Sequence, residues 1–423
     1  MSDARRRPGN DTWLLALVAG GHVLLFAWFF PHVWTMRNSG IGLFFDYGSR
    51  IVHGALPYRD FAAEYPPLAM GLFAAPRLVA STLARYFTAF VATLLVADLL
   101  ALGGVAAAAR ASGASVVRAT GAYTLALLAI GPIAIHQYDL VPAVATLGAL
   151  WCAARGRPAG AGALLAAGVL LKAWPLLVVP VLLTWYLRDR EWNSAWRGAG
   201  GALAVAVAVL LPWLLGGPGS LARMVGYHAG RGLQVESSYA SVLLALHALR
   251  GGAAPLAFAA GSWNVAGGVA GALAALSGPV MGVAVLSAVL LAWRRLPPGR
   301  PGIAWLAHAT LLVLLAALLA SKVLSPQYLL WLLPFVAVAS AAAPPRAGGA
   351  ILGLFVVIGA LTHYVFPAHY AQLLGGSTSA TLALLLRNVL LALLAALVAA
   401  TRWPGEGAPT RHQEPRPWPA TTP

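Results

Sequence analysis

Apolar runs of about 20 residues recur along most of the chain, and short polar loops separate them. A helix of that length crosses the hydrocarbon core of a bilayer and satisfies its own backbone polar groups there. Hydrophobic residues make up 60% of the 423 residues and charged residues 9%, whereas a soluble domain carries about 25% charged residues. The sequence therefore predicts an all-α polytopic membrane protein.

The basic residues lie in short loops between the apolar runs and form no single patch, so the net charge of +16 indicates membrane topology and not a nucleic-acid partner. Arginines at positions 5–7 precede the first run and predict a cytoplasmic N-terminus. Following the runs gives about 12 spans in one transmembrane domain over residues 1–401, with both termini inside. We expect a disordered cytoplasmic tail over residues 402–423, a first outer loop at 34–66 and a long outer segment at 216–276.

Two regions leave the number of spans open, residues 66–86 and 159–187. The apolar piece at 68–80 is too short to cross, and we expect it to lie in the outer interface. The run at 159–187 is too long for one straight span, and Pro175 follows Lys172 inside it. Two short spans that meet at the outer side are one interpretation. A single kinked helix is the other, and it would invert the later topology.

Acidic residues concentrate in the first outer loop, which holds three of the 12 in the chain, Asp46, Asp60 and Glu64. Asp46 follows two phenylalanines, and a carboxylate against aromatic rings at the membrane edge suits a general base. The alternative is that Asp46 caps a helix at 47–54. Asp60 and Glu64 are four positions apart. On one helix face they would hold a divalent cation or sugar hydroxyls, and otherwise they belong to a solvated turn in which Arg59 is the partner.

The chain has two lysines, Lys172 and Lys322, and each lies in an apolar run beside a proline. A cation at membrane depth is costly unless it is paired or reaches water, so it marks a functional site by default. The alternative is a lysine that reaches the headgroups along the lipid surface. We predict that both lysines lie at the outer side, where an ammonium can approach a phosphate.

Other polar residues have less specific patterns. Asp98 lies alone within a span, which is typical of a buried residue bonded to a neighbouring helix. Arg231 and Glu236, in the long outer segment, either pair with each other or contact a substrate. The single Cys152 excludes an intramolecular disulfide and any multi-cysteine metal site. The sequence therefore indicates no metal site and no certain cofactor, and leaves a divalent cation open.

Five segments in order resemble one family, the GT-C glycosyltransferases, and in particular glycosyltransferase family 87, which uses polyprenol-phosphate-mannose. They lie between about Gly42 and Pro334, and they read DYGSRIVHGALPYRDFAAEYPPL, HQYDLVPA, LLKAWPLLVVP, RGLQVES and SKVLSPQYLLWLLP.

The resemblance implies a multi-pass cell-membrane enzyme whose active site faces the periplasm or other extracytoplasmic side. Its donor would be a polyprenyl-phosphate sugar, and its acceptor a lipid or glycan hydroxyl. An acidic residue of the first outer loop serves as catalytic base in this family, and Asp46 matches that position. By position and charge, the candidate substrate-binding residues are Lys172, Lys322, Arg231, His136, Asp60, Glu64, Tyr65, Glu236 and Gln327. The family analogy also implies an inverting displacement and a hexose, most simply mannose.

A transporter or flippase of lipid-linked sugars is the alternative function, because it would share the spans, the prolines and the cations at membrane depth. Transporters are often built from internal repeats with paired broken helices. The sequence shows no such repeat, which favours the glycosyltransferase.

Overall fold

The structure is a computed structural model, and it describes residues 8–34, 40–188, 190–215, 226, 230–297, 299 and 301–406. Within these ranges the chain is mostly helical. The helices are α1 (Pro8–Trp34), α2 (Gly40–Val52), α3 (Pro67–Arg77), α4 (Leu83–Ala111), α5 (Val116–Ile130), α6 (Leu140–Ala154), α7 (Pro158–Leu171), α8 (Val179–Leu187), α9 (Trp192–Leu215), α10 (Ser238–Leu249), α11 (Gly268–Arg294), α12 (Ile303–Ala320), α13 (Leu329–Ala342), α14 (Pro345–His363), α15 (Tyr370–Leu374) and α16 (Thr378–Ala400). Short 3₁₀ turns cover Gly131–Ile135, Trp174–Val178 and Pro326–Tyr328.

Eight helices in the described part of the chain are long and apolar enough to cross a membrane: α1, α4, α5 with its 3₁₀ turn, α9, α11, α12, α14 and α16. Five shorter apolar helices also lie in the described ranges: α6, α7, α8, α10 and α13. The prediction of an all-α polytopic membrane protein is confirmed. The eight long helices together with α6, α7, α8 and α13 are compatible with the predicted number of about 12 spans.

Contacts between helix ends show that the chain alternates between two ends of the bundle. Phe30 and Trp34 at the end of α1 pack against Phe87 at the start of α4, with ring centroids 4.8 and 5.3 Å apart. The indole of Trp185, near the end of α8, donates to the carbonyl of Pro301, just before α12 (3.1 Å). Helices α1 and α4 therefore run in opposite directions, and so do α8 and α12.

We call one end of the bundle the loop end, because it carries residues 40–68, Lys172 and Lys322. The opposite end is the arginine end, and it carries Arg110, Arg155, Arg188, Arg295 and Arg346. The predicted orientation places the loop end outside, by the concentration of arginine at the other end.

The apolar run at 159–187 is broken at Lys172. Helix α7 ends at Leu171, Lys172 is extended (φ −160°, ψ 134°), and a 3₁₀ turn then leads into α8. The ring of Pro175 lies where a side chain on Gly168 would be, 3.3 Å from an ideal Cβ, so the chain folds back on itself. The interpretation as two short spans is confirmed, and the single kinked helix is wrong.

The hairpin of α12 and α13 lies in the centre of the bundle. Nearly every residue of both helices is buried, and α4, α5, α6, α11, α14 and α16 pack around them. Hydrophobic residues on all faces suit either a core or a lipid surface, and the burial of these two helices places them in the core of the bundle.

Residues 230–267 form a small unit at the loop end, with helix α10 and three antiparallel strands in the order β1 (Leu233–Gln234), β3 (Ser262–Val265), β2 (Leu256–Ala259). The sequence pattern predicts no strands here. The predicted outer segment extends to residue 276, whereas helix α11 begins at Gly268. The remainder of that predicted segment, residues 216–225 and 227–229, lies outside the described residues.

Candidate functional site

Helix α2 carries the first acidic residue of the site. Its inner face buries Ile41, Phe44 and Tyr47, and the ring of Phe44 stacks on Phe73 of α3 (4.2 Å). Gly48 lets the two helices approach, because an ideal Cβ there would lie 2.4 Å from the carbonyl oxygen of Phe73. The short helix α3 therefore packs against α2. It lies within residues 66–86, the first of the two regions for which the sequence left the number of spans open.

Asp46 lies inside α2, on its exposed face. Its carboxylate accepts a hydrogen bond from Nε of Arg50, one turn later (2.9 Å), and both side chains are about half exposed. The helix begins six residues before Asp46, so the interpretation of Asp46 as a helix cap is wrong. A carboxylate in this place remains accessible to a ligand at the loop end.

The carboxylate of Glu64, in the loop that follows α2, is held by a side chain of α2. The hydroxyl of Tyr47 donates to Oε2 of Glu64 (2.5 Å), and the hydroxyl of Tyr58 donates to the carbonyl of Tyr65. Burial, and then the charge of Glu64, raise the pKa of Tyr58, which therefore stays a hydrogen-bond donor. These tyrosines fix the course of residues 58–65.

Asp60 belongs to a solvated turn. Its carboxylate accepts hydrogen bonds from Arg59 (2.8 and 2.9 Å) and from the amide of Leu56 (2.8 Å). The bonds from Arg59, followed by that from Leu56, lower the pKa of Asp60 to about 2. Residues 60–64 form no helix, so a shared helix face of Asp60 and Glu64 is wrong and the turn is confirmed.

An aromatic cluster joins the first loop to the turn between α5 and α6. Tyr138 packs edge-on against Phe44, Tyr65 and Phe73, with centroids 5.8, 5.8 and 5.2 Å apart. The hydroxyl of Tyr138 donates to the carbonyl of Leu171 at the end of α7 (3.1 Å). Edge-to-face contacts of this kind fix relative orientation as well as burying surface. The cluster therefore holds the acidic loop against the broken helix.

Lys172, at that break, is paired. Its Nζ lies 2.6 Å from Oδ1 of Asp139 and over the rings of Tyr138 and Tyr328, at 5.0 and 5.7 Å from their centroids. The side chain is 17% exposed, and Asp139 is fully buried. Lys172 is therefore enclosed by protein groups, and the alternative of a lysine lying along the lipid surface is wrong.

Asp139 is a site residue that sequence reasoning missed. It was visible as part of the segment HQYD between two apolar runs, but its partner Lys172 lies 33 residues away. The indole of Trp331, 192 residues away, donates to the same oxygen (2.6 Å). The ring of Trp331 in turn stacks on the rings of Trp174 and Tyr328, with centroids 5.3 and 4.0 Å apart. These rings border the site on the side of α13.

His136 lies just before this turn and is buried. Its Nδ1 is 3.2 Å from the side-chain nitrogen Nε2 of Gln137. It also lines a cavity of about 190 Å³ together with His32 and His363. In the described ranges, no group of three or more His, Cys, Asp or Glu residues has a geometry that fits a metal ion.

A second cationic region contains Lys322 and Arg231. Burial, and then the charge of Arg231, lower the pKa of Lys322, so the two cations lie near each other. Nε of Arg231 is buried, and no described residue accepts a hydrogen bond from it. Gln234 fixes the Lys322 segment on both sides: its amide donates to the carbonyl of Lys322 (3.0 Å), and its Oε1 accepts from the amide of Leu324 (2.8 Å). Gln327 follows, half-buried, in the 3₁₀ turn.

Glu236 is enclosed by protein groups. Its carboxylate accepts from Gln234 (2.9 Å), and its carbonyl accepts from Arg387 (2.5 Å) and Asn388 (3.3 Å) of α16. Burial raises the pKa of Glu236 to about 7, against the opposing charge of Arg387. Of the two interpretations of Arg231 and Glu236, the described residues show no contact that pairs them: the carboxylate of Glu236 accepts from Gln234, and its carbonyl accepts from Arg387.

The loop end thus carries Asp46, Glu64, Tyr65, His136 and Lys172, and Tyr328 connects Lys172 to the segment that begins at Lys322. Asp98 lies elsewhere. Its carboxylate is buried within the bundle and accepts from His22 (2.6 Å) and Tyr123 (2.8 Å) of neighbouring helices, as predicted for a structural residue.

No family model matches the chain, and no curated protein matches it. Two crystal structures of ArnT from Cupriavidus metallidurans are similar at low identity. The apo structure is 16% identical, with a TM-score of 0.44 over 90% of this chain and 78% of ArnT. The structure bound to undecaprenyl phosphate is 16% identical, with a TM-score of 0.43 over 89% of this chain and 77% of ArnT.

Proposed function

We propose that this protein is a membrane glycosyltransferase of the GT-C type, which moves a sugar from a polyprenyl-phosphate donor to an acceptor hydroxyl. The observation that carries the proposal is the gathering of an accessible carboxylate and two cationic regions at one end of an apolar helical bundle. Such a donor needs an apolar path for its chain, cations for its phosphate and a base for the acceptor. The family resemblance of these same segments supports the assignment.

In this proposal Asp46 is the base. Its exposed position on α2 lets an acceptor hydroxyl approach, and the carboxylate takes the hydroxyl proton as the new glycosidic bond forms at the anomeric carbon. The bond from that carbon to the donor phosphate breaks, and the leaving group departs as a phosphate anion. No strong general acid is then required, and direct displacement inverts the configuration.

Lys172, Lys322, Arg231 and His136 are the proposed contacts for the donor phosphate, because these basic groups lie at the loop end. Glu64, Tyr65 and Gln327 are proposed sugar or acceptor contacts. The structure holds Asp60 and Glu236 in protein contacts, so we propose that these two support the site without touching substrate.

The proposal also covers the identity of the sugar, the side of the membrane that the site faces, and the extent of the domain. The resemblance to glycosyltransferase family 87 favours mannose as the sugar. The arginine-rich opposite end favours an outward-facing site, in a single transmembrane domain over residues 1–401.

The test is sugar transfer by the purified protein in detergent, with radiolabelled polyprenyl-phosphate mannose, glucose, arabinose and aminoarabinose as donors and a membrane lipid and glycan extract as acceptor. Transfer from one donor, most simply mannose, is the expected result. A transporter requires sealed vesicles, whereas transfer does not. Movement of the donor across vesicles without transfer in detergent would contradict the proposal.

A further inference from the structure

The ammonium of Lys172 lies in an aromatic enclosure with a buried counter-charge. Tyr138 and Tyr328 present their rings to Nζ, and Asp139 supplies a carboxylate oxygen at 2.6 Å. A cation that is largely removed from water needs both a partner charge and hydrogen bonds. The Asp139 carboxylate meets that requirement, and the rings add a favourable cation–π contact.

Asp139 is fixed by protein and not by solvent. It lies at the start of α6, it is fully buried, and the indole of Trp331 donates to the oxygen that also contacts Lys172. Its other oxygen, Oδ2, is buried and has no hydrogen-bond partner among the described residues. The carboxylate therefore joins α6, the break after α7, and α13 at one point.

The backbone of Lys172 alone does not fix its ammonium. Its amide donates to the carbonyl of Gly168 (2.9 Å), but the charged group lies at the end of a flexible four-carbon stem. Where the ammonium lies is decided by the group that binds it, and Asp139 is the nearest described partner.

We propose that Asp139 is a positioning residue, which holds the ammonium of Lys172 over the rings of Tyr138 and Tyr328 at the place from which Lys172 contacts the donor phosphate. The contact with the phosphate rests on the proposed function, whereas the positioning does not. Asp139 itself does not touch the donor.

The positioning can be observed without any activity, because Lys172 and Lys322 are the only lysines of the chain. Isotope-labelled methylation of the lysines gives two side-chain signals besides that of the N-terminal amine, and Lys322→Arg identifies the signal of Lys172. Ring currents from the two tyrosines should displace that signal in the native protein. Asp139→Asn should move it toward the position of an exposed lysine, and an unmoved signal would overturn the proposal.

Donor kinetics test the consequence. Asp139→Asn should raise the donor KM about tenfold or more, with a smaller effect on kcat, and Asp139→Glu should recover part of the loss. Lys172→Met should show a similar loss, and the double variant should be no worse than either single one, because the two side chains act as a unit. Fully additive losses would contradict the positioning role.

Asp98→Asn is the matched control, since Asp98 is also a fully buried aspartate with two partners, remote from the site. It should lower thermal stability and leave the donor KM unchanged. Should Asp139→Asn not fold, Trp331→Phe carries the test, because it removes the hydrogen bond that orients Asp139. It should displace the Lys172 signal and raise the donor KM, and no change in either would contradict the proposal.

The two proposals fail in different ways. If Lys172→Met keeps native donor affinity, the role of Lys172 in the proposed function is wrong, and the methyl signal still decides whether Asp139 positions the ammonium. If the signal moves but the donor KM of Asp139→Asn does not, the ammonium is positioned for another purpose and this inference is wrong.

Discussion

At the scale of single residues, the two lysines have different surroundings. Lys172 has a carboxylate partner at 2.6 Å, whereas Lys322 lies in the field of a second cation, Arg231. Two like charges in each other's field favour an anionic ligand, because the ligand relieves their repulsion. Lys322 and Arg231 are therefore the stronger candidates for direct contact with a phosphate.

The lowered pKa of Lys322 gives a prediction for the pH dependence of donor binding. The ammonium binds phosphate, and burial together with Arg231 makes it lose its proton at a lower pH than an ordinary lysine. Donor affinity of the native protein should therefore weaken as the pH rises, and it should do so at a lower pH than for an ordinary lysine. Lys322→Arg should flatten this decline, since arginine stays charged there. Titration of both proteins with the donor is the measurement, and identical pH profiles would contradict the assignment.

Part of the site could be predicted at this scale. Asp46, Lys172 and Lys322 stand out because charge is scarce in an apolar chain. Asp139 and Trp331 could not be predicted as their partners, because the contacts span 33 and 192 residues and depend on which helices become neighbours. Local pattern fixes which residues are unusual, but only packing decides which of them meet.

At the scale of elements, α7 and α9 pack closely through small residues. An ideal Cβ on Gly201 would lie 2.0 Å from the carbonyl oxygen of Ala159, and one on Gly162 would lie 1.8 Å from that of Gly198. Small residues at such positions let two helices approach within the membrane. This contact holds the first half of the broken apolar run in place.

Gly201→Ala should therefore destabilise the protein by roughly 1–3 kcal/mol, since the added methyl group forces the two backbones apart. Gly200→Ala is the matched control, because nothing lies within 4 Å of its ideal Cβ. Thermal unfolding of both variants in detergent is the measurement. Equal melting temperatures would show that the close approach of α7 and α9 is not formed.

The elements also show where sequence reasoning reaches its limit. The break after α7 was predictable, because proline after Lys172 disfavours a continuous helix. The sheet at 233–265 was not, because its strands have two to four residues and no alternating pattern of useful length. Their pairing depends on a loop closure that local propensity does not encode.

At the scale of the whole molecule, the candidate site and a group of five arginines lie at opposite ends of one bundle. The arginine end carries Arg110, Arg155, Arg188, Arg295 and Arg346, and such loops face the cytoplasm as a rule. The loop end should then face outward, where a lipid-linked donor and its acceptor meet.

Cysteine labelling tests this orientation. In a Cys152→Ser background, cysteines at the exposed positions Ala62 and Gly252 should react with an impermeant thiol reagent in intact cells. A cysteine at Ala111, exposed at the arginine end, should react only after permeabilisation. The reverse pattern would contradict the outward-facing site.

The most direct test of sugar transfer at the loop end is the activity of Asp46→Asn with the donor that the native protein uses. Loss of a general base should lower the transfer rate roughly 100- to 10,000-fold. Donor binding and thermal stability should stay close to native, because Asp46 is half exposed and its ion pair is with Arg50 of the same helix. Glu191→Gln, a carboxylate change at the arginine end, should leave transfer unchanged. If Asp46→Asn keeps more than about a tenth of native activity while Glu64→Gln or Asp60→Asn is inactive, the assignment of the base is wrong.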